Sequence, residues 1–294
     1  MDNEKSKEVV SIDRFKIGVL TDSFRTGIGE SIEKAKEIGV SGIQISAVNG
    51  STEPEKLNAK QRIELKDRVH SNGLVISALC GDIGGGFVNR SENAWRIEKS
   101  KRIMDLAKDL GTDIVTTHIG VVPEDPKHPR WRILQDACEI LGEYGDEVGA
   151  FFAIETGPET SSVLKSFLDS LSSRGVRVNL DPANLVMVTG DDPVQAVWNL
   201  KDYIVHTHAK DGIMLYKENP EVIYGMIEES IRAGTAFREV PLGKGNVDFP
   251  EYLKALDSIG YHGFLTIERE TGENPEQDIR EAAAFLNHTI RRMS

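Results

Sequence analysis

The feature that most constrains this chain is an alternation that begins at Phe15 and continues to its end. Short apolar runs are each followed by a longer amphipathic segment. The runs are 15–20 (FKIGVL), 42–47 (GIQISA), 74–80 (LVISALC), 113–119 (DIVTTHI), 150–156 (AFFAIET), 176–182 (VRVNLDP), 203–209 (YIVHTHA) and 263–269 (GFLTIER). β-Branched residues enrich most of them and Gly or Asp often borders them, as expected of buried strands. Segments between them, such as IEKAKEIGV and PEYLKALDSIGY, have helical period, and several stop at Gly after Leu or Ile. Strands that alternate strictly with helices imply a parallel sheet. Eight such units predict a single-domain (β/α)8 barrel over 15–294, preceded by a short solvated tail at 1–14. A doubly wound open sheet is the rival that periodicity alone leaves standing. The length of 294 residues suits the barrel, since about 250 residues commonly form one such domain.

Composition narrows the function. The net charge of −12 disfavours broad contact with phosphate backbones or anionic lipid, so neither nucleic acid nor membrane is an expected partner. The two cysteines, Cys80 and Cys138, lie far apart with no CxxC spacing, which suggests a reducing compartment. No signal-peptide core and no run approaching about 18 apolar residues is present, so a cytoplasmic protein is expected.

Parallel strands buried on both faces should be almost wholly apolar. The later runs break that rule in one place, their C-terminal ends, where barrels assemble active sites. The fifth ends in Glu155, the sixth in Asp181, the seventh in His208 and the eighth in Glu268. Period two puts Asn179 and Asp181 inward with Val178 and Leu180 toward the helices; Thr266 and Glu268 point inward likewise. Three carboxylates and an imidazole in one mouth repel one another unless a cation joins them. One divalent metal ion is therefore expected, and mixed nitrogen and oxygen ligands suit manganese, magnesium, cobalt or zinc. For any one of these residues a salt bridge to a nearby Lys or Arg is the plainer explanation. Four in successive strands at the same end make that explanation weaker.

The same residues carry a resemblance. From Phe15 to about residue 290 the chain resembles the xylose-isomerase-like TIM barrel family, in particular the sugar phosphate isomerases/epimerases. The similar stretches are CGDIGGGF, THIG, IETGPET, NLDPANL, HTHAKDG, LGKGNVDFPEYLKALDSIGY and TIERE, in that order. The resemblance implies that Glu155, Asp181, His208 and Glu268 ligate the metal, with His208 rather than His206 as the histidine ligand; His206 is expected to be a hydrogen-bonded core residue. His118, Asn184 and Lys210 are candidate substrate contacts; a structural hydrogen bond is the alternative for His118, and a salt bridge to Asp211 or Glu270 for Lys210. Asn184 stands where related ketose epimerases carry a substrate-binding histidine, a departure that bears on the sugar pattern. Glu159 and Glu270 are expected to support the ligands, and Trp95, Trp131 and Trp198 to pack in the core. GDIGGGF lacks both phosphate-loop signatures, so a mobile loop bordering the pocket is expected; LGKGN is expected to be a turn. The long connection from Ile213 to Asn246 predicts a helix over PEVIYGMIEESIRAG and a lid carrying Tyr216, Tyr224 and Arg238.

The implied activity is that of a metal-dependent isomerase or epimerase on a small carbohydrate. Glu155 and Glu268 would be the catalytic acid/base pair, passing a proton through an enediolate. Alternatives are a lyase or dehydratase acting on a keto-inositol or 3-keto-glycoside, and a non-catalytic sugar-binding subunit; the state of any homo-oligomer is left open. A third, the apurinic endonuclease reading, is disfavoured by Asn184 in place of a histidine ligand and by the acidic charge.

Overall fold

In the computed structural model, residues 14–228 and 235–293 are described. Most of the expected tail at 1–14 lies outside them, as do residues 229–234 of the helix expected over 220–234, which among the described residues ends at Ile223. The eight apolar runs form strands β1 (Lys16–Leu20), β2 (Gly42–Ser46), β3 (Val75–Cys80), β4 (Ile114–Thr117), β5 (Phe151–Glu155), β6 (Val176–Leu180), β7 (Ile204–Ala209) and, after two further strands, β10 (Phe264–Ile267). They close into a barrel in the order β1-β2-β3-β4-β5-β6-β7-β10, with β10 pairing back to β1. Every pairing in the ring is parallel. Closure settles the choice against the open sheet. The two strands between β7 and β10, β8 (Asp211–Met214) and β9 (Phe237–Val240), form an antiparallel hairpin outside the barrel.

Helices wrap the ring: α1 (Ile28–Ile38), α2 (Ala59–Ser71), α3 (Asn93–Leu110), α4 (Pro129–Val148) and α5 (Ser161–Asp169) follow the first five strands. The three-residue α6 (Pro182–Asn184) and α7 (Pro193–Leu200) follow β6, the four-residue α8 (Pro220–Ile223) follows β8, and α9 (Phe249–Ser258) and α10 (Pro275–Arg291) flank β10. The expected helix stop is seen at Gly111, whose φ of +87° ends α3 in a left-handed turn that favours glycine. The apolar core lies mainly between ring and helices; Val178, Leu180, Leu265 and Ile267 all belong to it, as period two requires. Trp131 is buried edge-on to Phe167, with ring centroids 5.3 Å apart. The expectation of core packing fails for Trp95 and Trp198, which are 51% and 45% exposed on their helices. Their amphipathic segments present these positions to solvent, and Trp95 stacks against the Arg96 guanidinium instead. Among the described residues no helix is long and apolar enough to cross a membrane.

Candidate metal centre

Four successive staves of the barrel, β5, β6, β7 and β10, bring Glu155, Asp181, His208 and Glu268 to one end. One ligand atom from each lies within 4.8 Å of the others. Glu155 is the last residue of β5; Asp181 and Glu268 immediately follow β6 and β10. His208 Nδ1 stands 3.6 Å from Glu155 Oε1, 3.4 Å from Asp181 Oδ2 and 3.4 Å from Glu268 Oε2. Ligands about 2.1 Å from a common ion stand about 3.0–3.4 Å apart, so the donor set fits a divalent cation. Asp181 divides its oxygens: Oδ1 accepts from the Asn184 backbone at 2.9 Å, capping α6, while Oδ2 faces His208.

The electrostatics follow from four ionisable groups in a buried space. Burial opposes ionisation of Glu155, but His208 and His118 outweigh it and hold the carboxyl below its usual range. Burial likewise opposes the charged Glu268, yet Lys210 and His208 hold it well below that range. At Asp181 burial wins and the carboxyl is pushed up. His208 is driven well above the ordinary imidazole value: burial works against its charge, and Glu155 and Glu268 prevail.

Beneath the four residues lies a layer of buried polar side chains. Gln44, on β2, accepts from His208 Nε2 at 3.1 Å and donates to Thr116 Oγ1 at 2.8 Å. This leaves His208 Nδ1 to face the carboxylates. A partner on the far nitrogen fixes ring orientation in metal-binding histidines. Asn179 donates to Glu155 Oε2 at 3.1 Å and accepts from His206 Nδ1 at 2.9 Å, while His206 Nε2 meets Thr266 Oγ1 at 2.9 Å. His206 is thus the hydrogen-bonded core histidine expected, held neutral by burial and by His208. Gln44 was not among the expected site residues. Its signal is a lone amide within the otherwise apolar GIQISA.

Above the four residues opens a cavity of about 480 Å³. Glu155, Glu268, Asn184, His118 and Lys210 all line it, so the expected substrate contacts are gathered around one space. Asn184 donates to Glu155 Oε1 at 3.1 Å. Lys210 Nζ donates to Glu268 Oε2 at 2.9 Å and to Glu270 Oε2 at 2.5 Å, which makes the salt bridge foreseen with Glu270 and adds Glu268. Glu159 reaches elsewhere: its Oε2 accepts from the Val122 backbone at 3.0 Å, and burial pushes its carboxyl up to about 8. The hairpin segment supplies Tyr224 and Phe237 to the cavity wall, whereas Arg238 is exposed on β9 and Tyr216 is absent from the lining. The LGKGN stretch wraps a carboxylate: Asp211 accepts from the backbones of Gly243, Gly245 and Val247 at 2.8–3.2 Å. Cys80 also borders the cavity, its thiol pushed up to about 12 by burial.

Known proteins resemble the chain in the same region. A family model described as xylose isomerase-like TIM barrel matches residues 32–289. A putative L-ribulose-5-phosphate 3-epimerase of Haemophilus influenzae is 24% identical over 90% of this chain and 91% of its own. An inosose dehydratase of Lacticaseibacillus casei is 25% identical over 54% of this chain and 55% of its own. A xylose isomerase domain protein from Planctomyces limnophilus superimposes with a TM-score of 0.79 at 26% identity, over 95% of this chain and 98% of that one.

Proposed function

The chain belongs to the xylose isomerase-like TIM barrel family, and from that premise we propose that it is a divalent-metal-dependent isomerase or epimerase of a small sugar or sugar-like hydroxy-ketone. The observation that carries this reading is the convergence of Glu155, Asp181, His208 and Glu268 under one cavity. An ion held there would act as a Lewis acid on a carbonyl and its neighbouring hydroxyl. The protein's own residues divide the remaining work. Glu155 ends β5 and Glu268 follows β10, with two strands between them around the ring, and both border the cavity. One removes the proton beside the carbonyl and the other returns it from the opposite side. Lys210 keeps Glu268 ionised, and Asn179 and Asn184 fix the Glu155 oxygens. Asp181 and His208 would chiefly hold the ion, with Glu155 and Glu268 completing its ligand set.

A second reading uses the same proton abstraction and then expels a substituent from the next carbon, making the protein a dehydratase. The similarity to inosose dehydratase favours it over part of the chain. One experiment separates the two: metal-loaded protein is incubated in D₂O with ketoses, keto-inositols and 3-keto-glycosides and followed by NMR. Deuterium entering a carbon beside the carbonyl, with an isomerised product, is the expected result. Loss of water with an enone product selects the dehydratase. No exchange in any compound contradicts both.

A further inference from the structure

Asp82 was not among the expected site residues, yet it borders the cavity and touches His118. Its Oδ2 stands 2.9 Å from His118 Nδ1, and its Oδ1 accepts from the Gly84 backbone at 2.8 Å. Both oxygens are therefore engaged, and the carboxylate has one orientation. The loop that carries it is itself held. Gly81 N donates to Thr116 O and Phe87 N to Ile119 O, each at 2.8 Å, lacing the loop to both sides of His118. Arg96, from α3, donates to the Gly84 carbonyl. Gly86 has a φ of +60°, and a side chain there would collide with the Ile119 backbone. The glycines of GDIGGGF thus allow close approach to the residues after β4.

The other nitrogen of His118 has no such partner. Nε2 is buried, lacks any hydrogen bond, and stands 3.7 Å from Glu155 Oε1. Buried polar atoms are seldom left unpaired, and those that are call for an explanation. An oxygen atom placed about 2.9 Å from both Nε2 and Oε1 would complete a hydrogen bond with each. The Tyr224 ring, 5.5 Å from the imidazole between centroids, closes the outer side. We propose that Asp82 is a positioning residue that holds His118 Nδ1–H, so that Nε2 meets a substrate hydroxyl lying against Glu155. A hydroxyl accepts from Nε2–H of the charged ring while donating to the carboxylate, or gives its one proton to Nε2 of the neutral ring instead. The ligand class is a polyhydroxy-ketone, and this part rests on the function proposed above.

The test has two arms. In the first, protein labelled with ¹⁵N-histidine is examined by NMR for a proton on His118 Nδ1, assigned by its loss in His118→Ala. Asp82→Ala should shift or abolish that signal. A signal indifferent to Asp82→Ala, or an Nδ1 that carries no proton, overturns the dyad without reference to turnover. In the second, the probe is whichever of D-fructose, D-tagatose, D-psicose and L-ribulose the wild type exchanges fastest in D₂O. His118→Ala and Asp82→Ala should each lower kcat/KM by about 10- to 100-fold, the worth of a hydrogen bond to a buried polar group. The double variant should lose no more than the worse single, with metal content unchanged. Losses that multiply mean Asp82 acts independently of His118 and overturn the proposal. Asp82→Asn preserves shape should Asp82→Ala fold poorly, and it should weaken the signal and the activity together. Exchange of none of the four sugars counts against the function reading, while the first arm still judges the dyad.

Discussion

The barrel has two unlike halves facing one cavity. Strands β5, β6, β7 and β10 supply all four members of the charged cluster, whereas β1 to β4 supply none. The first half of the chain contributes Gln44 and Thr116, which hold His208, and the Asp82–His118 pair, which stands beside Glu155. The difference shows how a barrel divides a polar site. Charges that must converge within a few ångströms come from adjacent strand ends, where parallel hydrogen bonding fixes their spacing. His208 is oriented from across the barrel by the neutral Gln44, which adds no charge to a crowded space, while Glu155 and Glu268 are held by Asn179, Asn184 and Lys210 of their own half.

The halves should therefore fail differently. The largest effect belongs to the charged half. Glu155→Gln or Glu268→Gln keeps size and one oxygen donor but removes a base, so kcat should fall by roughly 10²–10⁴ with some metal still bound. Turnover near the wild-type rate in both metal-loaded variants would place the bases elsewhere. In the other half, Gln44→Leu removes the acceptor for His208 Nε2. Metal affinity should drop about 10- to 100-fold, as for lost partners of metal ligands, and saturating metal should restore most of kcat. A kcat loss that metal does not rescue would erase the proposed distinction between the halves.

The smallest effect lies at the seam, where Glu159 of the β5–α5 loop accepts from Val122 of the β4–α4 loop. Burial raises this carboxyl from an ordinary 4.5 to about 8. The folded state then keeps a proton that the unfolded chain releases. The resulting stability is fully present below about pH 4.5 and is lost as pH rises through about 8. Glu159→Gln cannot lose that proton, so it should be more stable than wild type at pH 9 and differ little from it at pH 5. Denaturant titrations at the two pH values check this, and an equal difference at both would contradict it.

The two halves also differed in how openly the sequence displayed them. Glu155, Asp181, His208 and Glu268 stand out because each ends an apolar run that parallel burial should keep apolar. Gln44 breaks the same rule, but a single amide has several ordinary explanations, and its partner is 164 residues away in sequence. Asp82 is hidden by its setting: glycines around an aspartate suggest a turn, and only the close approach to Ile119 shows what they permit. The β8–β9 hairpin is hidden for a related reason. Asp211 begins β8 directly after the seventh barrel strand, and its carboxylate is claimed by backbone groups 32–36 residues onward. Periodicity reports which residues share a face, while contacts of that separation depend on the closed ring.

Everything proposed for the cavity depends on an ion at the charged end. Anomalous scattering from crystals of the purified, metal-loaded protein measures this directly. The expected result is one divalent ion per chain, within about 2.0–2.4 Å of oxygens from Glu155, Asp181 and Glu268 and of His208 Nδ1. An anomalous peak away from these residues, or none after incubation with manganese, cobalt or zinc, would contradict it.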